Sequence, residues 1–532
     1  MNAPRKFFIE TFGCQMNVLD SELVVGQLRA RGLSPVADYR EADVILFNTC
    51  SVRQHAEDKV HSRLGQLRRF KRRRPNTVIG VIGCMAEREK EDLFVRTPHL
   101  DLLCGPGELN KLPALLDEVW NRREQLALLA GSQSRRTEVL QRALEYDSLE
   151  ALDQSRAPDS DGRSVLQSYI RVQRGCDKFC TYCVVPFTRG PERSRPPEQI
   201  IAEARMLAQR GCREVTLLGQ TVNSYVHQED GRPVRFAELL ERLHGVEGID
   251  RIRFVTSFPA DWDEDIFRVM RDYPRVMPYL HIPAQSGSDR VLKAMKRGYT
   301  AGEYLKLMDS ARRFVPDIAL AGDFIVGFCG ETRTDFEQSL DLIRRVRYSS
   351  LYVFKYSPRP GTKAERNRED DVGDAEKASR CNEMLAVQRE IGGALRSELV
   401  GRRAEVLVEG YSRIARQARG ESRATIRTRQ ARTASLAAPS PEDASPQPSE
   451  QDRGVEVSSR PGDQLVGRTP NDQIVVFEGS EDLIGALVEV DIDSFHGNTL
   501  FGRAGRVVSP ARRVAAGDSA TMGRSLTVLG AG

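Results

Sequence analysis

The run Cys176-Asp177-Lys178-Phe179-Cys180-Thr181-Tyr182-Cys183 spaces three cysteines as Cys-x-x-x-Cys-x-x-Cys. A chain that carries it has to gather three thiols on one tight loop. Three thiolates so placed can hold three irons of a cubane [4Fe-4S] cluster, and with no fourth cysteine close by in sequence one iron stays open. The competing reading is a zinc knuckle. Zinc sites usually pair two Cys-x-x-Cys units or add histidine, and no histidine is within reach in sequence here, so the spacing favours the cluster.

A chain of 532 residues exceeds what one core supports, and two to four domains are expected. The apolar runs, such as 78–82, are too short to span a bilayer. The N-terminal stretch moves straight into a strand-like segment without the apolar core of a signal peptide, so a cytoplasmic location with no membrane partner is expected. In that reducing compartment the ten cysteines read as metal ligands or free thiols. The net charge of +4 names no partner by itself.

Residues 5–121 alternate short apolar runs with helical patterns, as a parallel α/β domain does. Strands are expected at 7–12, 44–47 and 78–82, with a helix at 19–31. Each of the three strands ends at a cysteine: Cys14, Cys50 and Cys84. In a parallel sheet all carboxyl ends lie on one edge, so a second three-thiol site becomes possible there. The alternative is cysteine as a small buried hydrophobe. Residues 121–161 show little strand character and read as a partly helical connector. Between 162 and 395 six strand signals (169–172, 215–218, 252–256, 279–282, 324–326, 351–354) alternate with helical stretches, which predicts an open (βα)6 barrel with functional residues at the strands' carboxyl ends. Strand-like pieces at 404–409, 473–477 and 486–492 predict a small β-barrel within 398–507. It is interrupted at about 412–460 by an arginine-, serine- and proline-rich insertion expected to be disordered, and 508–532 reads as a tail.

The cysteine triad's spacing resembles that of the radical SAM superfamily. That resemblance implies an open iron that chelates the amino and carboxylate groups of S-adenosylmethionine (SAM) and passes an electron to its sulfonium. Candidate SAM contacts then follow at strand ends. Tyr182, between two triad cysteines, is placed to meet adenine, with ordinary packing as its alternative. Gly219 and Gln220 stand where the superfamily has a Gly-Gly-Glu-like motif, with Gln220 replacing the acid. Ser257, Gln285 and Ser286 offer polar contacts to a nucleoside, and Gly327 offers a close backbone approach. His281 reads as a packed, hydrogen-bonded residue, and Cys329 as neutral to the chemistry.

Further motifs narrow the resemblance: Thr11-Phe12-Gly13-Cys14-Gln15-Met16-Asn17, Asn48-Thr49-Cys50-Ser51, Gly83-Cys84-Met85-Ala86, the stretch 175–196 and Leu465-Val466-Gly467-Arg468-Thr469. Together they are similar to the tRNA methylthiotransferase family within the radical SAM superfamily. The resemblance implies two [4Fe-4S] clusters, one on Cys176, Cys180 and Cys183 and an auxiliary one on Cys14, Cys50 and Cys84, with SAM as radical source and methyl donor. It also implies a C-terminal RNA-binding TRAM domain and a substrate in the tRNA anticodon stem-loop, where isopentenyladenosine at position 37 gains a methylthio group at C-2. An electron donor such as flavodoxin or ferredoxin is implied, with an unspecified sulfur donor. The run Arg68 to Arg74 and the pair Arg402 and Arg403 are candidate phosphate contacts, a solvated helix face being the alternative for the run. Sister enzymes acting on threonylcarbamoyladenosine or a ribosomal protein aspartate are the nearest rivals. A noncatalytic metal-containing RNA-binding protein is the rival of another class.

Overall fold

A computed structural model describes residues 5–51, 54–129, 153, 166–420 and 463–512. The segments Val44–Thr49 and Val78–Gly83 are buried along their whole length. Such near-continuous apolar runs belong to parallel sheets covered on both faces. They lie at the centre of a parallel six-stranded sheet ordered Ser34–Pro35, Lys6–Phe12, Val44–Thr49, Val78–Gly83, Leu102–Cys104, Leu126–Leu128. The register aligns Phe12, Thr49 and Gly83 in one row, which puts the next residues of all three strands on the same edge. The helix Gln15–Ala30 covers one face, and its core continues into Tyr169, Leu218 and Tyr279 of the central domain.

The sheet runs past the expected boundary at 121. Leu126–Leu128 pairs with Leu102–Cys104, closing an edge that would otherwise expose unpaired backbone. Three residues are too few to carry a strand signal in sequence. Of the rest of the expected connector only Asp153 is described, and 130–152 and 154–165 lie outside the described residues.

Six parallel strands build the central domain: Gln167–Arg171, Glu214–Leu218, Arg251–Phe254, Tyr279–His281, Ala319–Val326 and Ser350–Lys355. They pair as two threes joined by a parallel bridge from Ile252 to Val276, giving the open barrel the alternation predicts. The apolar faces of the intervening helices, through Ile200, Leu239, Phe267, Met308 and Leu340, and of a helix after the last strand, through Met384, join the strands in one core. Two of those helices start at capping boxes, Thr300 with Glu303 and Thr332 with Asp335, which satisfy the first backbone N–H groups.

Five strands close the C-terminal barrel, in the order Arg403–Tyr411, Gln464–Arg468, Ile474–Glu478, Thr499–Ser509, Leu487–His496. It docks on the central domain through buried guanidiniums that donate to its backbone carbonyls: Arg251 to Arg468 (2.7 Å), Arg253 to Thr469 (2.8 Å) and Arg213 to Gly485 (2.7 Å). The insertion begins later than its composition predicts. Ser412 caps a short helix, Arg413–Ala418, whose Ala415 and Arg416 are buried, because the hydroxyl satisfies the Ala415 N–H (3.2 Å) and apolar cover is available. Residues 421–462 and 513–532 lie outside the described residues. The last strand continues to Ser509, and Arg512 pairs with Asp250 (3.0 Å), so the expected tail starts as part of the fold. Among the described residues no helix is long and apolar enough to cross a membrane.

Candidate metal and cofactor site

Cys14 caps the helix Gln15–Ala30, Cys50 follows Val44–Thr49 directly, and Cys84 opens the helix Cys84–Glu89. All three therefore stand just beyond the row of Phe12, Thr49 and Gly83. The motifs around them interlock. The Cys14 thiol donates to Asn17 Oδ1 (3.1 Å), Asn17 Nδ2 donates to Asn48 Oδ1 (2.8 Å), and Asn48 Nδ2 donates to the Asn17 carbonyl (2.9 Å) and to Ser21 Oγ (2.9 Å). Gly13 (φ +122°) passes so close that a Cβ would lie 2.2 Å from Cys50 Cβ. A Cβ on Gly83 (φ +87°) would lie 2.3 Å from Asn48 Oδ1. Only glycine allows these approaches at these backbone angles. Cys104 sits in the row of Ile82, back inside the sheet and fully buried, and is not at this edge.

The second thiol set hangs on a loop closed by the pairing of Gln173–Arg174 with Arg193–Ser194. Cys176 N donates to the Gly190 carbonyl (3.1 Å), and Gly175 leaves no room for a Cβ against Pro191 O. Phe179 adopts φ +49°, the left-handed turn that folds Cys180 back toward Cys176. Burial pushes the Cys176 thiol up to about 11, with the neighbouring Cys180 adding to it. Burial and then Cys180 push Cys183 up to about 12. Thiols whose ionised forms burial and a neighbouring cysteine disfavour, as at Cys176 and Cys183, are donors that a cationic centre would stabilise as thiolates. Among the described residues no three His, Cys, Asp or Glu groups are drawn together as a single-ion site requires. A cubane asks instead for three cysteines on separate irons, the number that each of these two sets provides.

Strand-end loops gather round this triad. Thr221 Oγ1, beside Gly219 and Gln220, donates to Glu192 Oε2 (2.9 Å), and Glu192 is an electrostatic neighbour of Cys176. Lys178 pairs with Asp261. Arg297 links Cys180 to the loop that carries Gln285, through Pro283. Ser257 Oγ and Gln285 Oε1 are buried and have no hydrogen-bond partner among the described residues. Gln285 (φ +71°) and Thr256 (φ +67°) hold strained backbone. Orphaned polar atoms and strain of this kind collect where a ligand completes the structure. Tyr182 packs edge-on to Phe328 (6.4 Å between centroids). Two other candidates are already engaged. Ser286 Oγ meets Ser339 Oγ (3.4 Å). Gly327 donates to Glu331 (2.8 Å), and the Lys377 stem fills the direction a Cβ would take. His281 shares a hydrogen bond with Asp323 (3.2 Å).

Charged residues to which the sequence alone gives no role join the two thiol sets. Arg189, shortly past the triad, donates to Asp20 Oδ2 (3.0 Å) and lies against Cys84, where its charge and hydrogen bond oppose the rise that burial imposes on that thiol. Asp20 is held from the other side by Arg171 (2.6 Å), which also pairs with Asp153. Arg189 lies inside the quoted stretch 175–196 and Asp20 just past the Cys14 motif, and neither carried a signal beyond its charge.

Of the basic run, Lys71 is committed to Asp101 (2.7 Å) and Arg74 to the Arg40 carbonyl. Arg68, Arg69, Arg72 and Arg73 are exposed on the helix Gln54–Arg73. Arg403 pairs with Asp491 (2.7 Å), while Arg402 is exposed.

Comparison with known proteins follows the same three parts. Family models match residues 6–105 (Uncharacterized protein family UPF0004), 170–343 (Radical SAM superfamily) and 454–504 (TRAM domain). The chain is 44% identical to the tRNA-2-methylthio-N(6)-dimethylallyladenosine synthase of Rhodopirellula baltica, over 93% of this chain and 95% of that one. It is 39% identical to the protein of the same name from Carboxydothermus hydrogenoformans, over 92% and 97%, and 37% to that of Syntrophotalea carbinolica, over 94% and 99%.

Proposed function

Since the chain belongs to the tRNA-2-methylthio-N(6)-dimethylallyladenosine synthase family, we propose that it is a radical SAM methylthiotransferase. It converts N(6)-isopentenyladenosine at position 37 of tRNA to the 2-methylthio derivative. The observation that carries this reading is the pair of three-thiol sets, one at the sheet edge and one on the barrel loop, bridged by Arg189. A methylthio group needs both a sulfur source and a means of activating an unreactive aromatic C–H, and two thiol sets supply two metal centres for those tasks. Cys176, Cys180 and Cys183 would hold one [4Fe-4S] cluster, and Cys14, Cys50 and Cys84 a second. When bound, the clusters and SAM supply the electron, the radical, the sulfur site and the methyl group.

The chain's own residues do the rest. Ser257 Oγ and Gln285 Oε1 hold SAM's polar groups, Tyr182 borders its adenine, and the Gly219–Gln220 turn lets backbone meet its methionine part. Gly327 and Ser286 act through the loops they brace. Arg68, Arg69, Arg72 and Arg73, with the C-terminal barrel, grip tRNA phosphates, and the unpaired anticodon loop leaves the target base free to enter. A cytoplasmic location, a flavodoxin- or ferredoxin-type electron donor and three domains complete the proposal, the expected limits 5–121, 162–395 and 398–507 being extended to Leu128 and Ser509 by the strands that end there.

The test is nucleoside mass spectrometry of isopentenylated tRNA after reaction with the anaerobically reconstituted chain, SAM and a reductant. A 2-methylthio product is expected. Replacing Cys176, Cys180 and Cys183 with alanine should abolish both product and deoxyadenosine. Replacing Cys14, Cys50 and Cys84 should abolish product while some deoxyadenosine persists. Product formation by either triple variant overturns the assignment.

A further inference from the structure

Arg297 is 5% exposed and sits inside the central barrel domain. A guanidinium stripped of water ordinarily faces a carboxylate. This one does not. Among the described residues it forms no ion pair. Nε donates to Tyr299 Oη (3.0 Å), Nη2 to the Pro283 carbonyl (3.1 Å) and Nη1 to Cys180 Sγ (3.3 Å). Its plane lies over the Phe258 ring, 4.6 Å from the centroid, and 5.3 Å from that of Tyr299. Its electrostatic neighbours are Tyr299, Tyr182 and Cys180, and of these only the cysteine is a cluster ligand on the proposed assignment. The scaffold thus holds a permanent positive charge, fixes it at each nitrogen, and aims one N–H at a triad sulfur.

We propose that Arg297 is the counter-charge of the cluster on Cys176, Cys180 and Cys183 and raises that cluster's reduction potential. The proposal rests on the assignment of a cluster to the triad. Reduction adds negative charge to the cluster and its thiolates. A fixed cation and an N–H···S bond stabilise the reduced form more than the oxidised one, and hydrogen bonds to the sulfurs and net charge are among the terms that set such potentials. The carbonyl of Pro283 and the ring of Phe258 hold the group from the strand-end loops, so Arg297 also ties the cluster loop to the wall that carries Ser257 and Gln285. It is a positioning residue that acts through Cys180.

The test is an EPR-monitored redox titration of the reconstituted full chain. It is repeated in the Cys14→Ala/Cys50→Ala/Cys84→Ala background, where only the barrel cluster reports. Arg297→Gln should retain about four irons in that background. Its cluster should titrate at a more negative potential, and deoxyadenosine formation at a fixed dithionite concentration should fall by about 10–100-fold, the usual cost of removing an outer partner of a metal ligand. Arg297→Lys, which keeps the charge but not the planar fork, should recover part of the shift. An unchanged potential in Arg297→Gln with normal iron content overturns the proposal. So does a loss of SAM affinity with no change in potential, which would make Arg297 a ligand anchor. If Arg297→Gln loses its iron, the bulkier neutral variant Arg297→Met decides, and a wild-type potential in that variant overturns the proposal. A wild-type triad with no cluster signal would instead refute the functional assignment.

Discussion

Gly13→Ala tests the sheet-edge thiol site at its tightest point. The added Cβ would lie 2.2 Å from Cys50 Cβ, whereas carbon atoms settle at about 3.5 Å or more, so Cys50 or the 12–14 turn has to retreat by about 1.3 Å. Metal and catalytic constellations tolerate about 0.5 Å. The overlap costs about 1–3 kcal/mol, and the φ of +122° adds about 1–3 kcal/mol of backbone strain for any residue with a side chain. Gly32→Ala is the control: its φ is +82° and nothing lies within 4 Å of the new Cβ, so it carries strain without overlap. After anaerobic reconstitution Gly13→Ala should hold about four irons where the wild type holds about eight. It should still form deoxyadenosine and should yield no methylthio product. Gly32→Ala should keep about eight irons and its product. Full iron content and wild-type product in Gly13→Ala would refute the reasoning, as would equal iron loss in Gly32→Ala.

Two further expectations concern RNA and pH. Changing Arg68, Arg69, Arg72 and Arg73 to glutamine should raise the KM for tRNA and flatten the salt dependence of binding by about 0.7–0.9 in log–log slope for each phosphate no longer neutralised, with turnover at saturating tRNA unchanged; an unaltered slope removes this face from the RNA interface. Glu409, buried against Arg468 (3.2 Å) and accepting from Gln167 (3.1 Å), is pushed by burial up to about 7 from 4.5. Between those values the native state keeps a proton that the unfolded state has released, so its contribution to stability falls as pH rises through that window and is fully present only below it. Glu409→Gln cannot titrate, and its melting temperature should decline less between about pH 5 and 7 than that of the wild type; parallel curves would show that Glu409 does not titrate there.

The placement of Cys14, Cys50 and Cys84 at one sheet edge was legible because it follows from local patterns and one geometric rule. Apolar runs at 44–47 and 78–82 announce buried parallel strands, parallel strands share an edge, and a cysteine follows each. The barrel triad was legible from spacing alone. What could not be read is what arrives from afar. Arg297 is more than a hundred residues from Cys180 and Asp20 more than a hundred from Arg189, and nothing in the local pattern of either arginine distinguishes it from an exposed one. The strand Leu126–Leu128 escaped because its register is set by a neighbour's free edge rather than by its own three residues. The helix Arg413–Ala418 escaped because an arginine-rich composition hides one buried alanine and one capping serine. Asn17 and Asn48 were visible inside quoted motifs, but their reciprocal hydrogen bonds exist only once the two strands lie side by side.

On the proposed assignment, those distant contributions also bear on how two separate thiol sets would serve one carbon atom. The sulfur and the radical have to reach the same C-2 position, so the relation between the sheet edge and the barrel loop cannot drift, and holding reacting groups in place is worth orders of magnitude in rate. Apolar packing along the Gln15–Ala30 helix would resist separation but tolerate sliding. The ionic cluster does not. Asp20 is fully buried between Arg171 and Arg189, and Asp153 between Arg171, Arg174 (3.0 Å) and Arg195 (3.4 Å). Moving Asp20 or Arg171, which each join two partners, leaves buried charge uncompensated in a medium that cannot solvate it, at a cost of about 3–5 kcal/mol. Because Arg189 belongs to the segment that follows the triad, and Asp20 to the helix that Cys14 caps, the charges that must stay paired are the ones that fix the two sets of thiols against each other.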